Sequence, residues 1–172
     1  LHGQNKDALA KTKLGAWEYD ITEPLYKCNM TDIMAAIGLV QLKRYKGMLE
    51  KRRKFIEIYN EFLSDERFIL PKHYGENFSS SGHLYLLRIK GITKEQRGEI
   101  IERMAEKGIA TNVHYKPLPL LTAYKNLGFD IKDFPNAYAQ FENEITLPLN
   151  TKMSEEDVVY TAETLKEILK DF

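Results

Sequence analysis

The sequence has little cysteine, no excess of either charge and no long apolar run, and each absence narrows what the chain can be. The single cysteine, Cys28, rules out an internal disulfide and fits a reducing cytoplasm. The 25 basic and 25 acidic residues cancel, so the chain has no electrostatic footprint for nucleic acid and little attraction to a membrane surface. No apolar run approaches the roughly 18 residues that predict a transmembrane helix. We therefore expect a soluble cytoplasmic protein with neither nucleic acid nor membrane as a partner.

The sequence also lacks the patterns of a self-contained catalytic site. Neither Cys-x-x-Cys nor His-Glu-x-x-His spacing occurs, and the four histidines are scattered, so no metal site is predicted. There is no Gly-x-Gly-x-x-Gly and no phosphate-loop signature. Cys28 has no neighbouring histidine and is better explained as a small residue filling space than as a nucleophile.

The length of the chain and its first residues indicate how it is divided into domains. At 172 residues, the chain fits one domain with an appended arm. It begins without an initiator Met, a basic start or the apolar region of a signal peptide, so we expect the interior of a longer protein. Alternation of apolar and acidic residues over 17–21 predicts a strand or arm. The predicted divisions are an arm and loop over 1–30, a long connecting helix over 31–64 and a small domain over 65–172.

Hydrophobic spacing predicts the helix and a small sheet after it. Apolar residues from Ile33 to Leu63 recur at helical spacing, and the run 34–40 is apolar all round, as in a helix buried on more than one side. Capping signals at Thr93, Pro135 and Ser154 open three further helices. A short helix is predicted around 121–127, and strands are predicted at 83–89, 109–115 and 144–149. This alternation predicts an α+β fold: a small sheet with helices on one side, plus the long N-terminal connecting helix.

The middle of the long helix is strongly basic, and two interpretations are open. It could bind nucleic acid, but in a neutral chain a solvated helix face is the simpler interpretation. The basic residues are Lys43, Arg44, Lys46, Lys51, Arg52, Arg53 and Lys54.

A short polar loop leads into the start of this helix and is a candidate anion site. Thr31 can cap the helix, and Asp32 suits the first turn, where the helix dipole favours negative charge. Lys27 and Asn29 are then free to face an anion such as a phosphate. An ordinary surface loop before a helix is the alternative.

Five segments together resemble the DegT/DnrJ/EryC1/StrS family of sugar aminotransferases, which use pyridoxal phosphate. The resemblance covers nearly the whole chain with the segments in the family's order. They are Trp17-Glu18-Tyr19-Asp20 with Leu25-Tyr26-Lys27-Cys28-Asn29-Met30-Thr31-Asp32-Ile33, then His83-Leu84-Tyr85, Val113-His114-Tyr115-Lys116-Pro117-Leu118, Ile145-Thr146-Leu147-Pro148-Leu149 and Met153-Ser154-Glu155-Glu156-Asp157-Val158.

The resemblance implies the C-terminal part of a fold-type-I aminotransferase, a homodimer with active sites at the subunit interface. Such enzymes move an amino group, usually from glutamate, onto a nucleotide-linked keto-sugar in amino-sugar, polysaccharide or secondary-metabolite biosynthesis. Lys27 and Asn29 would contact the cofactor phosphate of the partner subunit. Substrate contacts would come from His114 and Tyr115, and more weakly from His83 and Tyr85.

The resemblance places no catalytic residue in these 172 residues. The family's lysine that binds the cofactor covalently lies upstream, before a Gly-Glu-Gly-Gly run that this sequence lacks, so we expect this portion to be inactive alone. The sequence departs from common members at Lys27, Cys28 and Pro119, where an asparagine, an aromatic residue and a histidine are frequent. A non-catalytic α+β dimerisation or interaction domain, and a related sugar dehydratase that carries His in place of the upstream Lys, are the alternatives.

Overall fold

The computed structural model describes Gly3 and residues 20–172. Its chain divides into two compact units, Leu1–Arg44 and Tyr45–Phe172, and each is described by itself. The strand or arm predicted over 17–21 lies largely outside the described residues.

The described part of the first unit is an irregular segment that leads into the long helix α1, Asp32–Phe62. The backbone N–H of Met34 donates to Thr31 Oγ1 at 3.4 Å, and Asp32 lies in the first turn. The predicted cap and helix start are therefore confirmed. The apolar residues of this half are exposed, for example Ile33 at 76% and Leu42 at 68%. Most of the run 34–40 is exposed in this single chain, so its burial would need a partner surface and stays a prediction.

The second unit takes in the rest of α1 and packs it into the core. Phe55, Ile56 and Tyr59 of α1, and Leu63 just after it, are at most 1% exposed. This half of the helix therefore supplies one wall of the hydrophobic interior of the second unit.

Three short strands form an antiparallel sheet in the order β1-β4-β5. Strand β1 is Phe68–Ile69, β4 is Tyr85–Ile89 and β5 is Glu144–Leu147. Tyr85 pairs with Leu147, and Arg88 pairs with Glu144. Strands β2 (Tyr74–Gly75) and β3 (Phe78–Ser79) pair as a separate antiparallel hairpin.

Helices connect the strands where the capping signals predict them. Thr93 and Ser154 each form a complete capping box, closed by Gln96 and Asp157 respectively. Pro135 occupies the first turn of its helix, as predicted. The remaining helices are α2 (Lys94–Glu106), α3 (Thr122–Asn126), α4 (Pro135–Glu142) and α5 (Glu155–Ile168), with 3-10 turns at Leu118–Leu120, Ile131–Asp133 and Leu169–Asp171.

The strand predicted over 109–115 is wrong, because this segment is a loop with a single backbone bridge between Asn112 and Thr146. Asn112 exchanges backbone hydrogen bonds with Thr146 of β5, but the next two backbone donors are taken by side chains. The N–H of Val113 donates to Asn112 Oδ1 at 2.8 Å, and the N–H of His114 donates to Glu144 Oε2 at 3.0 Å. Backbone N–H groups that are bonded to side chains cannot form the hydrogen bonds that pair neighbouring strands.

The α+β fold class is confirmed. Alternate residues of β4 (Tyr85, Leu87 and Ile89) are fully buried in a core shared with α1, α2 and α5. The other face of β4 is half-covered, where Arg88 donates to the carbonyl of Ala139 in α4 at 2.9 Å. No helix within the described residues is long and apolar enough to cross a membrane.

The basic stretch of α1 lies within reach of acidic side chains. Arg53 pairs with Glu57 at 3.1 Å along the helix, and Lys54 pairs with Glu155 at the start of α5 at 2.5 Å. These acidic partners offset part of the positive charge, which favours the solvated helix face over a nucleic-acid surface.

Candidate functional site

The candidate anion loop of the first unit presents a cation and an amide to solvent. Lys27 and Asn29 are both exposed, and neither side chain has a hydrogen bond or ion pair with another described residue. Two residues beyond Asn29, Thr31 anchors the chain to the first turn of α1. The loop is thus fixed at one end while its polar side chains remain available to a ligand.

In the second unit, His114 is held by a chain of hydrogen bonds to a buried carboxylate. Its Nδ1 lies 2.8 Å from Thr146 Oγ1. The Thr146 hydroxyl donates to Glu144 Oε1 at 2.6 Å, while the other carboxylate oxygen accepts the backbone N–H of His114. Glu144 is 1% exposed and Thr146 is 5% exposed, so both lie in the interior. Ring and backbone of His114 are therefore fixed together by one carboxylate.

This chain of hydrogen bonds assigns the tautomer of His114. With Glu144 ionised, its carboxylate can only accept, so the Thr146 hydroxyl hydrogen points towards it. The Thr146 oxygen is then left to accept a hydrogen from the ring, which places the proton on Nδ1. The Nε2 atom remains as the ring nitrogen that can accept a hydrogen bond from a ligand.

Burial and charge act on Glu144 in opposite directions. Burial raises the pKa of its carboxyl, while the donors from Thr146 and His114 and the nearby charge of Arg97 lower it, with burial the larger effect. Burial in turn lowers the pKa of Arg97. The Arg97 guanidinium donates to the carbonyl of Phe141 and lies 4.5 Å from the centroid of that ring.

The other predicted substrate residues divide between surface and core. Tyr115 is 73% exposed, and its ring meets that of His114 edge-on at 4.7 Å across a cis peptide bond. His83 is exposed just before β4. Tyr85 is fully buried, and its hydroxyl donates to Asn60 Oδ1 at 2.8 Å. The structure thus brings His114 and Tyr115 together at the surface. The Tyr85 side chain, in contrast, lies in the hydrophobic core.

Sequence reasoning missed Glu144 and Thr146 as site residues. They are two apart on β5, so their side chains point to the same side of the strand. Two polar residues on one side of an otherwise apolar strand are a signal that could have found them. No group of residues suited to a metal ion occurs in the described part of the chain.

Comparison with known proteins accounts for this arrangement of elements. The model of the DegT/DnrJ/EryC1/StrS aminotransferase family matches residues 2–166. The chain belongs to this family. It aligns with the solved structure of Spr1654 from Streptococcus pneumoniae, described as a candidate sugar aminotransferase in its PMP form, with 56% identity and a TM-score of 0.83. That alignment covers 99% of this chain and 43% of Spr1654.

Two curated family members match over a similar share of their length. The spore coat polysaccharide biosynthesis protein SpsC of Bacillus subtilis is 32% identical over 99% of this chain and 45% of its own. A UDP-4-amino-4,6-dideoxy-N-acetyl-beta-L-altrosamine transaminase of Campylobacter jejuni is 28% identical over 96% of this chain and 46% of its own. The chain therefore spans a little under half the length of these relatives.

Proposed function

We propose that this chain is the C-terminal part of a pyridoxal-phosphate-dependent aminotransferase that moves an amino group from glutamate to a nucleotide-linked keto-sugar. The observation that carries the proposal is the family match over residues 2–166. The Campylobacter jejuni relative is named for a UDP-linked amino sugar, which supports this substrate class, and the Bacillus subtilis relative is named for polysaccharide biosynthesis. A cytoplasmic location agrees with the exposed free thiol of Cys28.

The exposed loop of the first unit suits the phosphate of the cofactor. Lys27 offers a point charge and Asn29 an amide donor, and no described residue competes for either side chain. When bound, pyridoxal phosphate acts as the electron sink for amino transfer. In the proposal, the loop binds and orients the phosphate of the cofactor held by the partner subunit.

On the substrate side, His114 and Tyr115 are the residues we assign to the nucleotide sugar. The hydrogen-bonded chain from Glu144 through Thr146 keeps the proton of His114 on Nδ1, so Nε2 accepts a hydrogen bond from a sugar hydroxyl. Tyr115 offers an exposed ring and hydroxyl beside it. His83 remains a secondary candidate, and we leave Tyr85 out because its side chain is buried.

The exposed apolar half of α1 supports a homodimer. Seven large apolar side chains of residues 33–45 are at least 44% exposed, which is unusual for a helix with no partner. In a dimer with active sites at the interface, such a surface would be covered by the upstream half or by a second copy. The side chains are Ile33, Met34, Ile37, Leu39, Val40, Leu42 and Tyr45.

The proposal is tested on the full-length protein that contains these residues. The purified protein is incubated with pyridoxal phosphate, glutamate and a panel of nucleotide-linked keto-sugars, and amino-sugar formation is followed by mass spectrometry. Glutamate-dependent amination of one substrate is expected. Borohydride reduction followed by peptide mapping should locate the covalently bound cofactor on a lysine upstream of Leu1. Attachment to a lysine within 1–172, or loss of the sugar hydroxyl without amination, would overturn the proposal.

The role of Lys27 is tested by its substitution with glutamine. Lys27→Gln removes one charge-assisted contact to the phosphate and should weaken cofactor binding on the order of tenfold. The dissociation constant is measured by absorbance titration of the apo protein with pyridoxal phosphate. Lys43→Gln serves as a control, since Lys43 is another exposed lysine of the same unit, on α1. Equal affinity of Lys27→Gln and the parent protein would remove Lys27 from the phosphate site.

A further inference from the structure

A cleft in the second unit is lined by lysines from three separate segments. Its volume is about 350 Å³, and its lining consists of Lys94, Lys116, Leu120, Lys125, Tyr138 and Phe141. Lys94 begins α2, Lys116 lies in the loop after His114, and Lys125 is in the last turn of α3. None of the six described residues that line it is acidic. The fold therefore collects three positive charges around one concave surface.

These charges are largely uncompensated within the described chain. Lys116 and Lys125 are exposed and form no ion pair with another described residue. Lys94 pairs only with its exposed neighbour Glu95, at 3.6 Å. The positive end of the α2 dipole adds to the field beside Lys94.

Below the cleft, Arg97 stacks on Phe141, although its charge is partly offset by Glu144. Three lysines held near one another repel, and a bound polyanion relieves that repulsion.

The lining of the cleft also restricts the kind of anion. Leu120, Phe141 and the half-buried ring of Tyr138 provide an apolar floor, which a free inorganic ion does not need. Ligand pockets range over roughly 300–1,000 Å³, so this cleft is at the small end. It suits a diphosphate and the first ring attached to it. Lys116, which lines the cleft, directly follows Tyr115 in the chain, so the cleft adjoins the segment that we assign to the substrate.

We propose that this cleft binds the diphosphate of a nucleoside diphosphate, with Lys116 and Lys125 as the principal contacts. The inference rests on the proposed function in naming the substrate as a nucleotide-linked sugar. It adds the place where the charged part of that substrate is held. The sugar then extends from the diphosphate towards His114, which the loop 114–116 carries beside the cleft.

The test measures binding of UDP to the full-length protein by isothermal titration calorimetry, without any assay of amino transfer. Lys116→Gln and Lys125→Gln should each weaken binding on the order of fivefold, as for a partly exposed ion pair, and the double variant on the order of 25-fold. Affinity for UDP should fall as salt is raised, and less steeply in the double variant. Inorganic diphosphate should compete with UDP, whereas uridine should not.

The controls separate this site from a general attraction of anions to lysines. Lys152→Gln removes an exposed lysine that does not line the cleft, so UDP affinity should stay unchanged. Lys116→Arg keeps the charge and should retain most of the affinity.

Equal UDP affinity in the double variant and the parent protein, or equal losses in Lys152→Gln and Lys116→Gln, would overturn the proposal. Amination of a nucleotide sugar with unchanged KM in the double variant would refute the cleft while leaving the proposed function intact. Binding of UDP at the cleft without amination of any nucleotide sugar would contradict the proposed function while leaving the cleft as an anion site.

Discussion

At the scale of single residues, the most informative feature is the carboxylate of Glu144, which was not predicted as a site residue from the sequence. It is buried at the start of β5 and organises the loop that carries His114 through two acceptor atoms. A buried carboxylate is costly unless its oxygens are hydrogen-bonded, and here both are. This residue explains how an irregular loop can hold one histidine in a defined orientation.

The role of Thr146 in that orientation can be tested by its replacement with valine. Thr146→Val keeps the shape of the side chain but removes the oxygen that accepts from His114 Nδ1. We expect the ring to change from the single Nδ1–H tautomer to a mixture, which ¹⁵N NMR of the imidazole nitrogens detects. The free energy of unfolding should fall by about 2–3 kcal/mol, because two hydrogen bonds are lost and one oxygen of the buried Glu144 carboxylate is left without a donor.

A matched control for this variant is Thr161→Val on α5. Thr161 is also buried and also donates a hydrogen bond, to the carbonyl of Asp157 at 2.8 Å, but it does not contact His114. It should also lower stability, by about 1 kcal/mol for its one hydrogen bond, while leaving the imidazole signals unchanged. Unaltered His114 signals in Thr146→Val would show that the ring is oriented by something else.

At the scale of elements, Gly82 connects the hairpin β2–β3 to β4 in a conformation that other residues rarely adopt. Its φ is +63°, and a Cβ added there would lie 2.9 Å from Ile56 Cδ1 and 3.3 Å from Arg52 Cβ. Ile56 is fully buried in α1 and cannot easily yield. The chain therefore passes against the helix at a point where only glycine fits.

We expect Gly82→Ala to destabilise the second unit by about 2 kcal/mol, from the left-handed backbone and the contact with Ile56. Urea unfolding followed by circular dichroism measures the effect. Gly98→Ala is the matched control, because Gly98 lies inside α2 with nothing within 4 Å of an added Cβ. That change should stabilise the unit by about 0.5–1 kcal/mol. The same sign for both variants would contradict the packing described for Gly82.

The elements also show where sequence-based prediction works and where it fails. The capping boxes at Thr93 and Ser154 were predictable because their hydrogen bonds are local, within four residues. The segment 109–115 has the composition of a strand, yet the backbone N–H groups of Val113 and His114 donate to the side chains of Asn112 and Glu144. That choice depends on a residue 30 positions away, which no local pattern contains. For the same reason, the cleft between Lys94, Lys116 and Lys125 could not be predicted.

At the scale of the whole molecule, stability should depend on pH through a buried histidine. His73 is 8% exposed, its Nδ1 lies 3.2 Å from Ser80 Oγ, and its Nε2 has no partner among the described residues. Burial lowers its pKa below the ordinary value of about 6.5. The unfolded chain then binds the proton more readily than the native protein does. The stabilisation is therefore complete above about pH 6.5 and is lost as the pH falls towards the lowered pKa of the folded state.

His73→Phe should remove this dependence while retaining an aromatic ring against Tyr85, whose centroid lies 5.9 Å away. We expect the free energy of unfolding of the parent protein to fall more steeply than that of the variant between pH 7 and pH 5. Urea titrations at each pH provide the measurement. His83→Phe is the control, because His83 is exposed and its loss should leave the slope unchanged. Parallel pH profiles for the parent and His73→Phe would rule out His73 as the source.

The bridge between Asn112 and Thr146 has a consequence for assembly. Thr146 donates its backbone N–H to Asn112 at 2.8 Å and accepts one in return at 3.2 Å. These two bonds occupy the outer side of β5, a strand of only four residues, and β1 at the opposite edge has two. Neither margin offers a run of unpaired backbone groups long enough to template another strand. Edge-to-edge pairing between copies through this three-stranded sheet is therefore disfavoured.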